Sequence, residues 1–265
     1  MPLSPLLAGY DNVVLDLDGC VWVGEACTPG APEAVAELRA AGKRLAFLTN
    51  DARRSPEDYV RKLWGLGIQA SLEEVVTVGA AIQHFLAGRE RASVFVIGSP
   101  AIFRHVTDAG HRIVNRSAEA TRAEVVVVAG HDEFDYRELH DATQAVIAGA
   151  ELIAANRDRT FPREDGLWPG TGAIVAAIEY ATERAARILG KPEPQIFRTA
   201  LDRVGDGRTL VVGDRIDADL GGAAAAGLDG AIVLTGVASS EQADAATDPA
   251  PVAVAADLHA LVVEG

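Results

Sequence analysis

The chain has 265 residues, a formal net charge of −14 at pH 7, 49% hydrophobic residues and 23% charged residues. Its length accommodates one large or two modest domains, and its composition is ordinary for a globular protein. The acidic balance argues against a partner such as a nucleic-acid polymer, because general nucleic-acid binders carry basic patches. We find no secretory signal, no apolar run of membrane-spanning length and only two cysteines, so we expect a cytoplasmic protein without a membrane partner.

The first predicted strand is an apolar run that ends in two carboxylates one residue apart. Val13, Val14 and Leu15 lead into Asp16 and Asp18, and Gly19 then permits a tight turn. The alternation of a strand places both acids on the same side, where they repel each other unless a cation or a shared proton intervenes. A plain strand followed by a polar Asp-Gly turn explains the four residues equally well. The rest of the chain has to decide between these interpretations.

The elements that follow alternate between helix and strand. In the first third we predict a helix over 32–41, a strand over 45–48, a helix from 55 towards 66, a strand over 75–78 and a helix from 79. This alternation favours a parallel sheet covered on both faces. The middle third predicts strands over 94–97, 124–129 and 152–154 and helices over 100–109 and 136–148. These either extend the same sheet or form a separate domain.

The last predicted elements follow a polar stretch over 156–172, which reads as a functional loop or linker. We then predict helices over 173–189 and 196–204, a strand over 209–212, a helix over 220–226 and a strand over 231–234.

Polar side chains stand where three of these strands end: Asp16 with Asp18, Thr49 with Asn50, and Asp214 with Asp219. Ligand sites of parallel sheets lie at the carboxyl ends of the strands. If the three strands are neighbours, four carboxylates would converge, and such a cluster requires a hard cation; all-oxygen ligation suits Mg²⁺. Mg²⁺ shares its coordination shell readily with phosphate, and a carboxylate can attack phosphorus to form an aspartyl-phosphate. The sequence therefore indicates phosphoryl chemistry.

Four ordered motifs resemble those of the phosphatases of the haloacid dehalogenase (HAD) superfamily, and the likeness covers nearly the whole chain. They are Asp-Leu-Asp-Gly at 16–19, Leu-Thr-Asn at 48–50, Gly-Lys-Pro at 190–192 and Gly-Asp-Arg-Ile-Asp-Ala-Asp at 213–219. The forms of the second and third motifs and the insertion between them are similar to subfamily IIA. That branch includes 4-nitrophenyl phosphatases and phosphatases of phosphoglycolate, glycerol phosphate and pyridoxal phosphate.

The resemblance implies an α/β fold with a Rossmann-like, doubly wound parallel sheet as the core and an inserted α/β cap domain. It places the HAD-like catalytic core at 1–79 and 173–265 and the cap, which selects the substrate, at 80–172. The implied substrate is a small phosphorylated metabolite: phosphoglycolate, glycerol phosphate, a sugar phosphate, a nucleotide or pyridoxal phosphate. Because caps in relatives often pair, the resemblance also allows a homodimer.

The resemblance further implies a role for each motif residue. Asp16 would be the nucleophile, and Asp18 would protonate the leaving group and then activate water. Thr49 and Lys191 would hold the phosphoryl oxygens, with Asn50 binding the phosphoryl group or positioning the loop.

The implied Mg²⁺ site consists of carboxylates and one backbone carbonyl. Asp16, the carbonyl of Asp18 and Asp214 would bind the ion, and Asp219 would orient or assist the site. From the residues alone, Arg157 and Arg159 could meet a second anionic group of the substrate. The alternative interpretation is that both arginines are solvated side chains of a loop.

Two other functions use related residues. A phosphotransferase or phosphomutase would form the same aspartyl-phosphate and pass the phosphoryl group to a second substrate. A receiver-like phospho-acceptor module also combines acids with a Thr and a Lys. Receivers are much shorter and lack an acid pair such as Asp214 and Asp219, so we favour the Mg²⁺-dependent phosphatase.

Overall fold

The computed structural model describes residues 3–163 and 165–263. Its strands are β1 (Asn12–Asp16), β2 (Trp22–Val23), β3 (Ala26–Cys27), β4 (Arg44–Thr49), β5 (Val75–Thr77), β6 (Ser93–Gly98), β7 (Arg112–Ile113), β8 (Val125–Gly130), β9 (Glu151–Ala154), β10 (Thr160–Arg163), β11 (Gly166–Pro169), β12 (Arg187–Ile188), β13 (Thr209–Gly213), β14 (Asp229–Val233) and β15 (Ala253–Ala255). Its α-helices are α1 (Pro5–Ala8), α2 (Ala31–Ala40), α3 (Pro56–Gly65), α4 (Val78–Ala87), α5 (Pro100–Asp108), α6 (Tyr136–Ile147), α7 (Thr171–Thr182), α8 (Pro194–Val204), α9 (Gly221–Ala225), α10 (Ser240–Ala245) and α11 (Leu258–Val262). A 3-10 turn spans Ala120–Arg122 and a π-helical turn spans Ile216–Leu220. Among these described helices, none combines the length and the apolar character needed to cross a bilayer.

The chain divides into two compact units. Unit 1 contains Met1–Thr49, Pro56–Val76 and Lys191–Gly265, and unit 2 contains Asn50–Ser55 and Thr77–Gly190. Each unit is built on its own sheet and has its own buried apolar cluster. The middle strands therefore belong to a separate domain and do not extend the first sheet. The sequence pattern alone allows both arrangements.

Unit 1 is organised around a six-stranded sheet with the strand order β15-β14-β13-β1-β4-β5. Strand β1 pairs in parallel with β4 on one side and with β13 on the other. The chain moves outward from β1 to β4 and β5, and it later returns beside β1 at β13. The strand order thus reverses between β1 and β13, which makes their carboxyl ends the topological switch point of a doubly wound, Rossmann-like sheet.

Strand β1 is a fully buried central strand. All five of its residues are buried, and Val13, Val14 and Leu15 have no exposed surface. Successive side chains point to opposite faces, so this burial means that both faces of the sheet are covered. On one face, Val13 and Leu15 join an apolar cluster with residues of α2, α3 and α11, and α8 packs against β4. The α/β fold predicted from the alternating elements is confirmed.

Unit 2 contains a five-stranded sheet with the order β12-β9-β8-β6-β7, and its paired strands run parallel. Its core combines apolar residues of β6, β8 and β9 with residues of α6 and α7. The antiparallel pair β10–β11 forms a hairpin within the stretch predicted as a loop over 156–172. Strand β11 is exposed along its whole length, so its sequence lacks the alternation of apolar and polar residues that would predict a strand.

The boundaries differ from the sequence prediction near residue 173. A helix over 173–189 is wrong in its second half, because α7 ends at Thr182 and Glu183 adopts a left-handed conformation. Residues 187–188 instead form β12 beside β9. Helix α7 packs against α6 and β8, so residues up to Gly190 belong to unit 2, whereas the sequence ended the insertion at 172. Asn50–Ser55 also belong to unit 2 and not to the predicted core.

Candidate active site

Asp16 and Asp18 follow each other closely but lie in different surroundings. Strand β1 ends at Asp16, whose side chain is only 7% exposed, whereas Asp18 is exposed. The strand ends here because the amides of Val21 and Trp22 both donate to the carbonyl of Leu17, which turns the chain. The prediction that one continuous strand carries both acids is therefore wrong. One acid is enclosed and the other faces solvent, which suits different chemical tasks.

Lys191 is buried and bridges two carboxylates. Its Nζ donates to Asp16 Oδ1 and, at 2.7 Å, to Asp219 Oδ1. Burial alone would lower the pKa of Lys191, but the attraction of Asp16 and Asp219 outweighs burial and raises that pKa. Burial raises the pKa of Asp16, and the attraction of Lys191 opposes this rise. Lys191 thus carries a positive charge beside the end of β1.

Asp214 and Asp219 are held in place by the segment that follows β13. The amide of Arg215 donates to Asp219 Oδ2 at 3.0 Å, and the π-helical turn Ile216–Leu220 carries Asp219 inward. Such turns widen a helix locally and are frequent at functional sites. Asp214 and Asp219 are both almost completely buried. The structure therefore brings both acids of the fourth motif into unit 1 beside the first motif.

Three carboxylates are close enough to hold a single cation. One oxygen each of Asp16, Asp214 and Asp219 lies within 4.8 Å of the others. The amide of Val237 donates to Asp214 Oδ2 at 2.7 Å, but the buried Oδ1 has no hydrogen-bond partner among the described residues. A buried carboxylate oxygen without a partner is costly, and burial accordingly raises the pKa of Asp214. Three carboxylates around one ammonium leave surplus negative charge, so this all-oxygen donor set fits the predicted Mg²⁺.

The carboxylate of Asp18 accepts a hydrogen bond from an indole. Trp22 Nε1 donates to Asp18 Oδ1 at 2.8 Å. The amide of Gly19 also donates to the carbonyl of Trp22 at 2.7 Å, so a tight turn joins the acid to the tryptophan. This hydrogen bond restrains Oδ1 of Asp18 and does not involve Oδ2.

The remaining predicted residues lie in different parts of the chain. Thr49 is the buried last residue of β4, whereas Asn50 belongs to unit 2, where its backbone carbonyl accepts a hydrogen bond from Nδ2 of the Asn156 side chain. Arg157 forms two hydrogen bonds with the carboxylate of Glu179 on the surface of unit 2, and Arg159 is exposed. The substrate-binding roles of these four residues stay predictions.

One part of the site is not predicted from the sequence. The segment after β14 supplies Val237, whose amide binds Asp214, and Thr235, whose hydroxyl donates to the carbonyl of Gly19 at 2.6 Å. Because β14 is a further parallel strand of the same sheet, its carboxyl end lies at the same edge as those of β1 and β13. The Thr-Gly pair after this strand was the signal that could have identified it.

Two family models match this chain. A model described as haloacid dehalogenase-like hydrolase matches residues 13–112, and a second, HAD-hydrolase-like model matches residues 188–261. The chain belongs to the haloacid dehalogenase-like hydrolase family. The family predicted from the four motifs is therefore confirmed.

Named relatives of this HAD-like hydrolase are phosphatases. The chain is 41% identical over 234 residues to a D-glycerol 3-phosphate phosphatase of Mycobacterium tuberculosis, covering 87% of this chain but 65% of the relative. It is 36% identical over 262 residues to the human glycerol-3-phosphate phosphatase, covering 88% of this chain and 82% of the relative. A crystal structure of the glycerol phosphate phosphatase from Mycobacterium tuberculosis in complex with magnesium matches with a TM-score of 0.89 and 37% identity, over 99% of this chain and 79% of that one.

Proposed function

We propose that this HAD-like hydrolase is a Mg²⁺-dependent phosphatase that cleaves a small phosphate monoester through an aspartyl-phosphate on Asp16. The observation that carries the proposal is the cluster of Asp16, Asp214, Asp219 and Lys191 at the switch point of the sheet. The relatives support a small ester, with glycerol phosphate as the first candidate. A phosphorylated metabolite is thus the partner we propose, while the homodimer and the cytoplasmic location stay predictions.

The first half of the reaction transfers the phosphoryl group to the enzyme. A carboxylate oxygen of Asp16 attacks phosphorus, and the bond between phosphorus and the ester oxygen breaks. Asp18 in its protonated form gives its proton to that oxygen, so the product leaves as an alcohol. Lys191 and Thr49 hold the phosphoryl oxygens while Asp16 becomes the acyl phosphate.

The second half releases inorganic phosphate. Asp18, now a carboxylate, takes a proton from water as the water oxygen attacks phosphorus, and the bond to Asp16 breaks. The two half-reactions restore both carboxyl groups. Asp16, Asp214 and the backbone carbonyl of Asp18, assisted by Asp219, would hold Mg²⁺, which neutralises the negative charge of the phosphoryl group when it is bound.

The test is phosphate release from glycerol 3-phosphate and 4-nitrophenyl phosphate in the presence of Mg²⁺. We expect turnover by the wild type and a loss of about 10³-fold or more in kcat for Asp16→Asn, because the variant lacks the nucleophile. Asp217→Asn is the matched control: its carboxylate binds Arg215 on the exposed side of the same acidic loop. Wild-type turnover without Mg²⁺, or full activity of Asp16→Asn, would contradict the proposal.

The same assay separates the two alternatives. A phosphotransferase would release little phosphate until a second alcohol is added, and the phosphoryl group would then appear on that alcohol. A receiver-like module would take up one phosphoryl group per chain without further turnover. Continuous release of inorganic phosphate in a single-substrate assay excludes both.

A further inference from the structure

Trp22 is buried directly beside the exposed acid of the site. The tryptophan is 1% exposed, and its indole N–H donates to Asp18 Oδ1 at 2.8 Å. A hydrogen bond to a carboxylate is among the stronger ones that a neutral donor can make. Asp18 itself lies in a turn after β1, where its side chain would otherwise sample several rotamers.

Helix α3 holds the indole ring in place. The ring of Tyr59 stacks on that of Trp22, with centroids 6.3 Å apart and an angle of 6° between the planes. Lys62, one helical turn further, places its Nζ 4.5 Å from the centre of the indole and donates to the carbonyl of Gly24 at 2.7 Å. The backbone of Trp22 is thus held by the turn that carries Asp18, and its indole ring is held by helix α3.

We propose that Trp22 is a positioning residue: its indole N–H holds one oxygen of Asp18 so that the other oxygen meets the ester oxygen of the substrate. This inference rests on the proposed function. An acid transfers its proton efficiently only from within hydrogen-bond distance and in the right orientation. Loss of the indole N–H therefore weakens proton donation to the leaving group and leaves the attack by Asp16 intact.

The leaving group of the substrate reveals this role. 4-Nitrophenolate departs readily without a proton, whereas the alkoxide of glycerol requires one. For Trp22→Phe we expect kcat/KM to fall about tenfold with glycerol 3-phosphate and less than about threefold with 4-nitrophenyl phosphate. We compare kcat/KM because it reports the steps up to departure of the alcohol, whereas kcat also includes hydrolysis of the aspartyl-phosphate, in which Asp18 acts with either ester. Asp18→Asn should show the same selectivity with larger losses. Adding Trp22→Phe to Asp18→Asn should cause no further loss, because the two residues act as a unit.

Trp64→Phe is the matched control, because it removes the indole N–H of an exposed tryptophan, and that N–H donates to the carbonyl of Ala70 and not to a motif acid. If Trp22→Phe does not fold, 3-benzothienylalanine at position 22 replaces the N–H by sulfur and keeps the ring shape. Equal losses of kcat/KM with both esters, unchanged kcat/KM, or a further loss of kcat/KM in the Asp18→Asn background would overturn the positioning role. A wild type that hydrolyses neither ester would overturn the proposed function itself, so the two failures are distinguishable.

Discussion

Gly236 shows how closely the backbone approaches the carboxylate of Asp214. A Cβ at this position would lie 1.9 Å from Asp214 Oδ2, and one at Gly19 would lie 2.3 Å from the same oxygen. Gly19 also has a φ of 93°, whereas Gly236 does not adopt a positive φ. A substitution at Gly236 thus acts through steric contact with the carboxylate and not through backbone strain.

We expect Gly236→Ala to weaken Mg²⁺ binding. The methyl group would push away Asp214, whose buried Oδ1 has no hydrogen-bond partner within the part of the chain that the structure describes. The Mg²⁺ concentration for half-maximal activity should rise about tenfold or more, which corresponds to about 1.4 kcal/mol. Mg²⁺ titrations of activity measure this shift. Gly65→Ala is the control, because a Cβ at this position, at the end of α3, would meet no atom within 4 Å. An unchanged Mg²⁺ requirement in Gly236→Ala would contradict the expectation.

The two ends of strand β1 carry residues with different roles. At its start, the buried side chain of Asn12 donates to the carbonyl of Gly205 and to Thr209 Oγ1, each at 3.0 Å, and accepts from Arg44 Nε at 2.8 Å. These bonds join β1 to both neighbouring strands, where Asn12 pairs with Thr209 and Arg44. At its other end stands Asp16. One strand thus carries a hydrogen-bonded residue that joins the sheet at its start and the proposed nucleophile at its end.

We expect Asn12→Ala to destabilise the protein without changing its chemistry. The variant leaves the carbonyl of Gly205 and the buried hydroxyl of Thr209 without this donor, at a cost of about 1–3 kcal/mol. Urea denaturation should show this loss, while kcat per folded molecule should stay within about twofold of the wild type, since Asp16 is not displaced. Gln69→Ala, which truncates an exposed amide in the same unit, should change neither quantity. A lower kcat at unchanged stability would contradict the prediction that Asn12 affects stability and not the chemistry at Asp16.

Local pattern explains which elements the sequence predicts. Three features can be predicted from the sequence because each depends on residues close together in the chain. They are the buried run before Asp16, the acids within each motif and the alternation of helix and strand. Asn12, Val237 and the indole of Trp22 were missed as parts of this network because their roles depend on partners brought close only by folding; Asn12 and Thr209 are 197 residues apart. The sequence predicts helix at residues 187–188, where the structure has β12, because pairing with β9 is a tertiary contact that overrides local preference.

At the scale of the whole molecule, a metal ion bound by the three carboxylates should stabilise one unit and not the other. Asp16, Asp214 and Asp219 all belong to unit 1, and unit 2 has a separate sheet and core. A ligand that binds only the folded state stabilises it by about 2.7 kcal/mol at 100 times its Kd. Because the ligands share one unit, this stabilisation should appear in the strands of unit 1.

Hydrogen exchange with and without Mg²⁺ tests this expectation. Amides of β1 and β13 should exchange about tenfold or more slowly with saturating Mg²⁺, whereas those of β6 and β8 in unit 2 should change little. Chelation of the ion should reverse the protection. Asp214→Asn should abolish the protection, because the variant replaces a charged carboxylate by a neutral amide at a buried position where Oδ1 has no partner among residues 3–163 and 165–263. Protection confined to unit 2, or protection that survives in Asp214→Asn, would place the ion away from the three carboxylates.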